Sequence, residues 1–222
     1  MINLNQEWRK PKKHSPIVIF GAGSIVNDAH LPAYKQAGFK VQGIYDPDIK
    51  KAKKLASKYN VSVFNTAEEA SDQQNVIFDL ATPPKAHASI LEILPENAGV
   101  LIQKPMGSNL DEATKILEIC NARSLKAALN FQLRFAPMMI ALKDAINSGL
   151  LGKIVDFDAW LALDTPWSLW KFLENLPRVE IFLHSIHYFD FIRSILDDPN
   201  GLKAKILGFP GEKLQILELQ LY

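Results

Sequence analysis

The sequence contains only one cysteine, Cys120, so no disulfide can form within its 222 residues and a reducing compartment is favoured. It also lacks an excess of one charge, because the sequence has 25 Lys and Arg residues and 24 Asp and Glu residues. This balance gives no overall attraction to nucleic acid or to an anionic membrane. No apolar run approaches the roughly 20 residues that span a bilayer, and the basic N-terminus lacks an apolar secretory segment. We therefore expect a globular cytoplasmic protein without a membrane or nucleic-acid partner.

Short apolar runs that alternate with helical patterns begin after a polar tail, residues 1–15. The apolar runs predict strands at 16–20, 39–45, 75–81, 100–103 and 126–131. Helical spacing of apolar residues predicts a helix after the first strand and others at 48–59, 86–94 and 111–122. Strands that alternate with helices form βαβ units. The fold class is therefore predicted to be α/β, with a Rossmann-type parallel sheet over residues 16–133.

The alternation ends near residue 136, and residues 134–222 are predicted to form a second domain. Helical patterns occupy 137–148 and 184–196, and strand patterns occupy 154–163, 203–207 and 213–222. This mixture predicts an incomplete α+β open-sheet domain for substrate binding and oligomerisation. The last strand pattern stops without a turn or cap, and an apolar sheet edge is normally covered or paired. We expect a short or truncated domain whose sheet is completed in a homo-oligomer, or whose remaining strands are missing.

A glycine-rich turn, Gly21-Ala-Gly23, directly follows the first predicted strand and opens a helix. In dinucleotide-binding folds the first glycine allows a tight turn. The second lets a pyrophosphate approach the amides and the positive dipole end of the helix. The third position of this fingerprint, usually Gly or Ala, holds Val26. Strand, turn and helix in this order predict a dinucleotide-binding site.

An acidic residue, Asp46, ends the second predicted strand 25 residues after Gly21. That is near the distance expected for a carboxylate that accepts from the ribose hydroxyls of NAD and repels the 2′-phosphate of NADP. Two other interpretations stay open: Asp46 caps the next helix instead, or Lys50 and Lys51 reach a 2′-phosphate. The sequence predicts NAD as the cofactor, with NADP as the alternative.

Five groups of residues lie in order along residues 16–222. They are Gly21-Ala-Gly-Ser-Ile25 with Ala29-His-Leu-Pro-Ala-Tyr34, Ala81-Thr-Pro-Pro84 with His87, Gln103-Lys-Pro105, Asn130 with Arg134, and His184-Ser-Ile-His-Tyr-Phe-Asp190. Each group is short, but together they resemble the Gfo/Idh/MocA family, which includes glucose–fructose oxidoreductases and inositol dehydrogenases.

The resemblance implies an NAD(P)-dependent oxidoreductase that moves a hydride between nicotinamide and a sugar, polyol or cyclitol carbon. The cofactor-binding residues, as implied by the matching positions and by the spacing of Asp46, are Gly21, Ala22, Gly23, Ser24, Ile25, Asp46, Thr82, Pro83, His87, Lys104 and Asn130. The implied catalytic residues, which handle the proton, are Lys104, His187 and His184. The implied substrate residues are Arg134, His184 and His187. Trp167 and Trp170 join them because an aromatic wall stacks on the C–H face of a sugar ring.

Position along the fold supports two of these roles. Lys104 directly follows the fourth predicted strand, at the edge of the sheet where open α/β folds bind their ligands. His187 and Asp190 are three residues apart on one helical face, so the aspartate is placed to orient the imidazole. Glu180, His184 and His187 also have a spacing that suits a metal. The resemblance already accounts for both histidines, so no metal is predicted.

The sequence departs from the family pattern at two site positions. Gln103 stands where the family has a glutamate before the lysine. Leu183 stands where many dehydrogenases of the family have an aspartate, one turn before His187. Both changes remove a carboxylate. Together with Val26, they favour an alternative class, a nucleotide- or sugar-binding sensor or regulatory protein of the same fold that has no turnover.

Overall fold

The computed structural model describes residues 2–159, 179–198, 200–208 and 215–221. The chain divides into two compact units. One is residues 11–130, and the other combines the segment before residue 11 with the described residues from Phe131 onward. Within these ranges no helix is both long and apolar enough to cross a membrane.

The unit of residues 11–130 alternates strands and helices around one parallel sheet. Its strands are β1 (Ile17–Phe20), β2 (Val41–Tyr45), β3 (Ser62–Val63), β4 (Ile77–Leu80), β5 (Gly99–Ile102) and β6 (Lys126–Leu129), in the spatial order β3-β2-β1-β4-β5-β6. Its helices are α1 (Leu31–Ala37), α2 (Ile49–Tyr59), α3 (Ala67–Ser71), α4 (His87–Ile93) and α5 (Leu110–Ala122). Every strand pair in the sheet is parallel. The structure confirms the predicted Rossmann-type sheet and adds β3 and α3, which were not predicted.

Strand β1 lies at the centre of the sheet because all four of its residues are apolar and buried. Successive side chains of a strand point to opposite faces, so β1 supplies both layers of the core. Ile17 and Ile19 pack with Leu31 and Ile44 on one face, whereas Val18 and Phe20 pack in the cluster on the other. The same alternation in β4 sends Phe78 and Leu80 into the second cluster. Asp79, which lies between them, therefore points to the face covered by α1.

A π-helical turn, Val26–His30, connects the glycine-rich turn to α1. The helix starts at Ser24 and runs through this turn without a break. It ends at Gly38, whose left-handed φ of 78° closes the helix. Because π turns interrupt the regular α-helical register, the start of this helix and its remainder are set separately against the sheet.

The second unit contains α6 (Pro137–Asn147), α7 (Ile186–Leu196) and an antiparallel hairpin of β7 (Leu202–Gly208) and β8 (Gln215–Leu221). A second π-helical turn, Ile181–Ser185, leads into α7. The prediction of a strand from residue 154 is wrong for residues 154–159, which form no strand. The strand was predicted from apolar residues that were expected to be buried, but Val155 is 88% exposed. The rest of that prediction lies outside the described residues.

Part of the N-terminal segment, which is mostly exposed as a tail would be, contacts residues that follow β6. The Asn5 amide donates to Asp144 Oδ2 at 2.9 Å. The Trp8 ring meets the Phe135 ring edge to face, with 4.9 Å between ring centroids. An aromatic pair of this geometry adds to the area that each ring buries. The segment before residue 11 is therefore tied to residues that follow β6.

Candidate cofactor and catalytic site

The glycine-rich turn has one position that requires glycine for the fold and one that does not. Gly21 has a φ of +109°, and a Cβ added there would lie 2.4 Å from the Ala81 carbonyl oxygen. Its amide donates to the Tyr45 carbonyl at 2.7 Å, which ties the turn to the end of β2. Gly23 is exposed, and no atom lies within 4 Å of a Cβ built on it. The turn therefore presents an open backbone surface at a helix N-terminus, which fits a pyrophosphate.

Asp46 braces this turn from the end of β2. Its Oδ2 accepts the Ala22 amide at 2.8 Å, and its Oδ1 accepts the Asp48 amide at 2.8 Å. The cap of α2 is Asp48, whose side chain accepts from the Lys50 and Lys51 amides. Since each carboxylate oxygen has about two acceptor sites, half-buried Asp46 keeps acceptor capacity beside the glycine-rich turn. That capacity fits the hydroxyls of a ribose.

The turn after β4 lies against the glycine-rich turn. A Cβ on Gly21 would lie 3.5 Å from Thr82 Cγ2, and Pro83 next to it is exposed. Thr82 Oγ1 is buried and has no hydrogen-bond partner among the residues that the structure describes. A buried hydroxyl without a protein partner is costly. Its place beside the glycine-rich turn fits a ligand that hydrogen-bonds there.

His87 supports the Thr82 turn from below. Its side chain is fully buried, and its two ring nitrogens lie 3.1 Å from the Met106 and Thr82 carbonyl oxygens. The histidine thus joins the loop after β4 to the loop after β5. Burial lowers the pKa of His87 below its ordinary value, while the two carbonyls oppose that shift. The structure therefore places His87 as a brace beneath the predicted cofactor loop.

Acidification is expected to destabilise the fold through His87. In the unfolded chain His87 takes up a proton near its ordinary pKa of 6.5. In the folded chain its pKa is lower, so it takes up the proton only at a lower pH. The free energy of unfolding should therefore fall as the pH drops below about 6.5, by at most about 1.4 kcal/mol per pH unit for one proton. Urea unfolding at pH 7.0 and pH 5.5 measures this slope. His87→Asn should flatten it, and the exposed His14→Asn should not; equal slopes for wild type and His87→Asn would contradict the assignment.

Parallel strand ends bring the predicted residues of this unit to one edge of the sheet. Phe20, Leu80, Ile102 and Leu129 are aligned neighbours at the ends of β1, β4, β5 and β6. The residues that follow these strands include Gly21, Thr82, Lys104 and Asn130. The Asn130 amide donates to the Ile102 carbonyl at 2.9 Å, which holds Asn130 beside β5. The structure thus gathers the glycine-rich turn, Thr82, Lys104 and Asn130 where open α/β sheets bind ligands.

Lys104 is set in place by its own neighbour in the chain. Its amide donates to Gln103 Oε1 at 3.0 Å, and the Lys104–Pro105 peptide bond is cis. Gln103 is buried and continues through its Nε2 to the buried His30, at 3.1 Å. His30, Asp79 and Tyr34 were not predicted as site residues. The signal that was available is Asp79 itself, because a carboxyl group inside a buried strand requires a partner.

In the second unit, Asp190 binds Arg134. The Arg134 Nε and Nη2 atoms donate to Oδ2 and Oδ1 of Asp190, each at 2.5 Å, and Nη2 also donates to the Asp190 carbonyl oxygen. A fork of this kind is the strongest ion-pair geometry available to arginine. Arg134 thus binds both carboxylate oxygens of Asp190, the residue that was predicted to orient His187.

The two candidate histidines of the second unit have different surroundings. His187 is buried, with its ring edge to face against Phe131 at 6.0 Å between centroids. His184 Nδ1 lies 2.8 Å from Glu180 Oε2, one turn earlier. Glu180 thus provides a carboxylate beside His184. Leu183, which stands at the position of the family's aspartate, is buried. The predicted Trp167 and Trp170 lie outside the described residues.

The sequence matches the model of a family described as an oxidoreductase family with an NAD-binding Rossmann fold, named after Gfo, Idh and MocA, over residues 16–131. Among curated proteins, the inositol 2-dehydrogenase of Rubrobacter xylanophilus is 28% identical over 131 residues, which are 57% of this chain and 38% of that protein. The glucose-6-phosphate 3-dehydrogenase of Bacillus subtilis is 28% identical over 141 residues, 63% of this chain and 40% of that protein. The matches thus span less than half the length of these two relatives.

A solved structure shows the same fold. The oxidoreductase from Agrobacterium radiobacter, in complex with NAD+, L-tartaric acid and magnesium, aligns with a TM-score of 0.76 at 22% identity. The alignment covers 94% of this chain and 63% of that one. At this identity the likeness concerns the fold, and it agrees with the α/β class predicted from the sequence.

Proposed function

Because the chain belongs to the Gfo/Idh/MocA family of oxidoreductases with an NAD-binding Rossmann fold, we propose that it is an NAD(P)-dependent dehydrogenase. Its proposed reaction moves a hydride between nicotinamide and a carbon of a sugar, polyol or cyclitol. The observation that carries the proposal is the single sheet edge that unites an open glycine-rich turn, a buried Thr82 hydroxyl and Lys104. The names of the relatives, one a cyclitol and one a sugar-phosphate dehydrogenase, support the substrate class.

The residues of this edge would hold the cofactor as follows. The open backbone at Gly23 receives the pyrophosphate, Asp46 accepts from ribose hydroxyls, and Thr82 hydrogen-bonds the cofactor near the turn after β4. NAD is proposed over NADP because a carboxylate braced beside the glycine-rich turn repels a 2′-phosphate. Exposed Lys50 and Lys51 follow Asp46 closely and are the feature that favours NADP. When bound, the nicotinamide supplies the hydride acceptor or donor.

Lys104 is the proposed proton-transfer group. A carbinol carbon releases its hydride only as the hydroxyl proton departs, so a base must lie beside that hydroxyl. Lysine is suited to this step because its ammonium can lose a proton, unlike the guanidinium of arginine. His187 and His184, with Arg134, are proposed to contact the substrate. Their support is the resemblance of the α7 segment to the family pattern and the preorganised Arg134–Asp190 pair.

Cofactor binding and turnover together test the proposal. The full chain is titrated with NAD and NADP by calorimetry, and then incubated with each cofactor and a panel of sugars, sugar phosphates, polyols and cyclitols while absorbance at the NADH wavelength is followed. We expect NAD to bind more tightly than NADP and at least one panel member to be oxidised. NAD binding without turnover on any member would favour the sensor or regulatory alternative, which Gln103 and Leu183 support. Absence of binding to either cofactor would contradict the dehydrogenase and leave only the sugar-binding form of the alternative.

The β7–β8 hairpin is the proposed oligomerisation surface. Within the described segments, each of its strands pairs only with the other, and an isolated two-stranded sheet is marginally stable in water. We expect a second copy of the chain to extend this sheet, so that sedimentation velocity of the full chain gives a dimer or larger species. Proline substitutions in the two strands should shift it toward monomer. A wild-type monomer at micromolar concentration would contradict the proposal.

A further inference from the structure

A buried chain of polar side chains runs beneath Lys104 on the α1 face of the sheet. Asp79 is 1% exposed, His30 8% and Gln103 9%. Tyr34 OH donates to Asp79 Oδ2 at 2.8 Å, and His30 Nδ1 lies 2.6 Å from the same oxygen. His30 Nε2 lies 3.1 Å from Gln103 Nε2, and the Lys104 amide donates to Gln103 Oε1 at 3.0 Å. Residues from the π-helical turn, α1, β4 and the loop that follows β5 therefore form one connected network.

Only one arrangement of protons satisfies every contact in this network. The Lys104 amide is a donor, so Gln103 must present its oxygen to Lys104 and its NH₂ group to His30. His30 Nε2 must then be an acceptor, because two donors cannot share a hydrogen bond. The His30 proton therefore lies on Nδ1 and is donated to Asp79 Oδ2, which also accepts from Tyr34. His30 is thereby held as the neutral Nδ1–H tautomer.

Glutamine at position 103 provides both groups that this arrangement needs, an NH₂ donor toward His30 and an oxygen acceptor toward the Lys104 amide. A glutamate there, as in the family pattern, would place one carboxylate at each side of His30, and Nε2 would have to carry a proton to bond it. Gln103 matches a neutral His30 instead, and it still accepts the Lys104 amide. The substitution thus keeps the contact to Lys104 and removes a buried charge that the network would otherwise have to compensate.

We propose that Asp79, His30 and Gln103 form a positioning relay for Lys104, with the neutral Nδ1–H tautomer of His30 setting the orientation of the Gln103 amide and hence of the Lys104 peptide. The relay rests on the proposed function for the role of Lys104. Its geometry is a property of the chain without cofactor or substrate. The relay is proposed to act through the Lys104 peptide, so these are positioning residues.

The tautomer is measured directly in the full, unliganded chain by ¹⁵N NMR of the histidine rings, with His30→Asn used to assign the signals. At pH 8 we expect a protonated Nδ1 and an unprotonated Nε2 for wild-type His30. Gln103→Glu replaces the NH₂ donor by a carboxylate oxygen, so Nε2 can no longer act as an acceptor and should carry a proton; Asp79 from β4 and Tyr34 from α1 are the other titratable groups that face the ring. Gln36→Glu, on the exposed side of α1, adds the same charge and should leave His30 unchanged. An Nε2–H tautomer in wild type would overturn the proposal without any variant.

The positioning claim is tested separately from the tautomer. Gln103→Met fills a similar volume but cannot accept the Lys104 amide, so amide hydrogen exchange at Lys104 should be at least about tenfold faster than in wild type. If the proposed function holds, kcat should fall by about 100-fold, the scale expected for a misplaced reacting group, while the Kd for NAD stays within about threefold. Unchanged exchange and unchanged kcat would overturn the relay. Lost turnover in wild type with the expected tautomer and exchange rates would contradict only the proposed function.

Discussion

Lys104→Ala is expected to lower kcat by about 10²- to 10⁴-fold, the range that general acid–base groups supply, while the Kd for NAD changes by less than about threefold. The lysine follows β5 at the sheet edge, and its backbone amide donates to Gln103 Oε1. Removal of the ammonium group should therefore leave the backbone and the glycine-rich turn in place. Steady-state kinetics and calorimetry on the same preparations measure the two effects.

Two further variants separate proton transfer from charge. Lys104→Arg keeps the positive charge but introduces a group that stays protonated, so kcat should fall nearly as far as in the alanine variant. Lys85→Ala removes an exposed lysine from the turn after β4, at the same edge of the sheet, and should leave kcat unchanged. Activity retained in Lys104→Arg would show that the residue acts by charge alone. Activity retained in Lys104→Ala would remove it from the chemistry.

Alanine at the two glycines of the turn is expected to affect different properties, the stability of the fold at Gly21 and the binding of NAD at Gly23. Gly21→Ala should destabilise the fold, because its φ of +109° is strained for any side chain and the new methyl would lie 2.4 Å from the Ala81 carbonyl oxygen. Backbone strain of this kind costs about 1–3 kcal/mol, and the overlap adds to it. Thermal unfolding should show a lower Tm by several degrees.

Gly23→Ala should leave the Tm unchanged and weaken NAD binding. Its methyl group meets no protein atom within 4 Å, but it would stand where the pyrophosphate approaches the helix N-terminus. We expect the Kd for NAD to rise at least about tenfold, a difference near 1.4 kcal/mol. Calorimetry on both variants is the measurement. Wild-type affinity in Gly23→Ala would place the pyrophosphate elsewhere, and an unchanged Tm in Gly21→Ala would contradict the structural reading of the turn.

Features that depend on neighbouring residues were predictable from the sequence. Four consecutive apolar residues predict strand β1. Lysines on one face and Ala52, Leu55 and Ala56 on the other predict helix α2. Strand β3 has two residues and α3 has five, which is too short for a periodic pattern to develop. Strand β3 forms by pairing with β2, so no local signal places it, whereas the capping pattern Thr66-x-x-Glu69 is a local signal for the start of α3, because the Thr66 hydroxyl accepts the Glu69 amide.

Contacts between distant residues were not predictable in the same way. Asp190 is three residues from His187, and that spacing suggested a pair. The structure also joins Asp190 to Arg134, 56 residues away, and the bidentate guanidinium binds both carboxylate oxygens at once. His30 and Asp79 are 49 residues apart, and their contact follows from the packing of the helix over β4. Sequence spacing predicts which groups can meet within an element, and tertiary packing decides which of them do.

The π-helical turn Val26–His30 has a consequence for how this gene can tolerate insertions and deletions. A π turn holds one more residue than an α-helical turn. The extra residue lets the helix begin at the glycine-rich turn while the part from Leu31 onward keeps its packing against the sheet. Loss of one residue here, such as Asn27, would turn the wide turn into a regular α-helical turn and leave the part from Leu31 onward on the same face of the helix. Loss of one residue between His30 and Tyr34 would instead rotate Tyr34 by about 100° around the helix relative to His30, although no residue of the relay had been substituted. The π turn therefore tolerates a one-residue change of length better than α1 does, provided that His30 is kept.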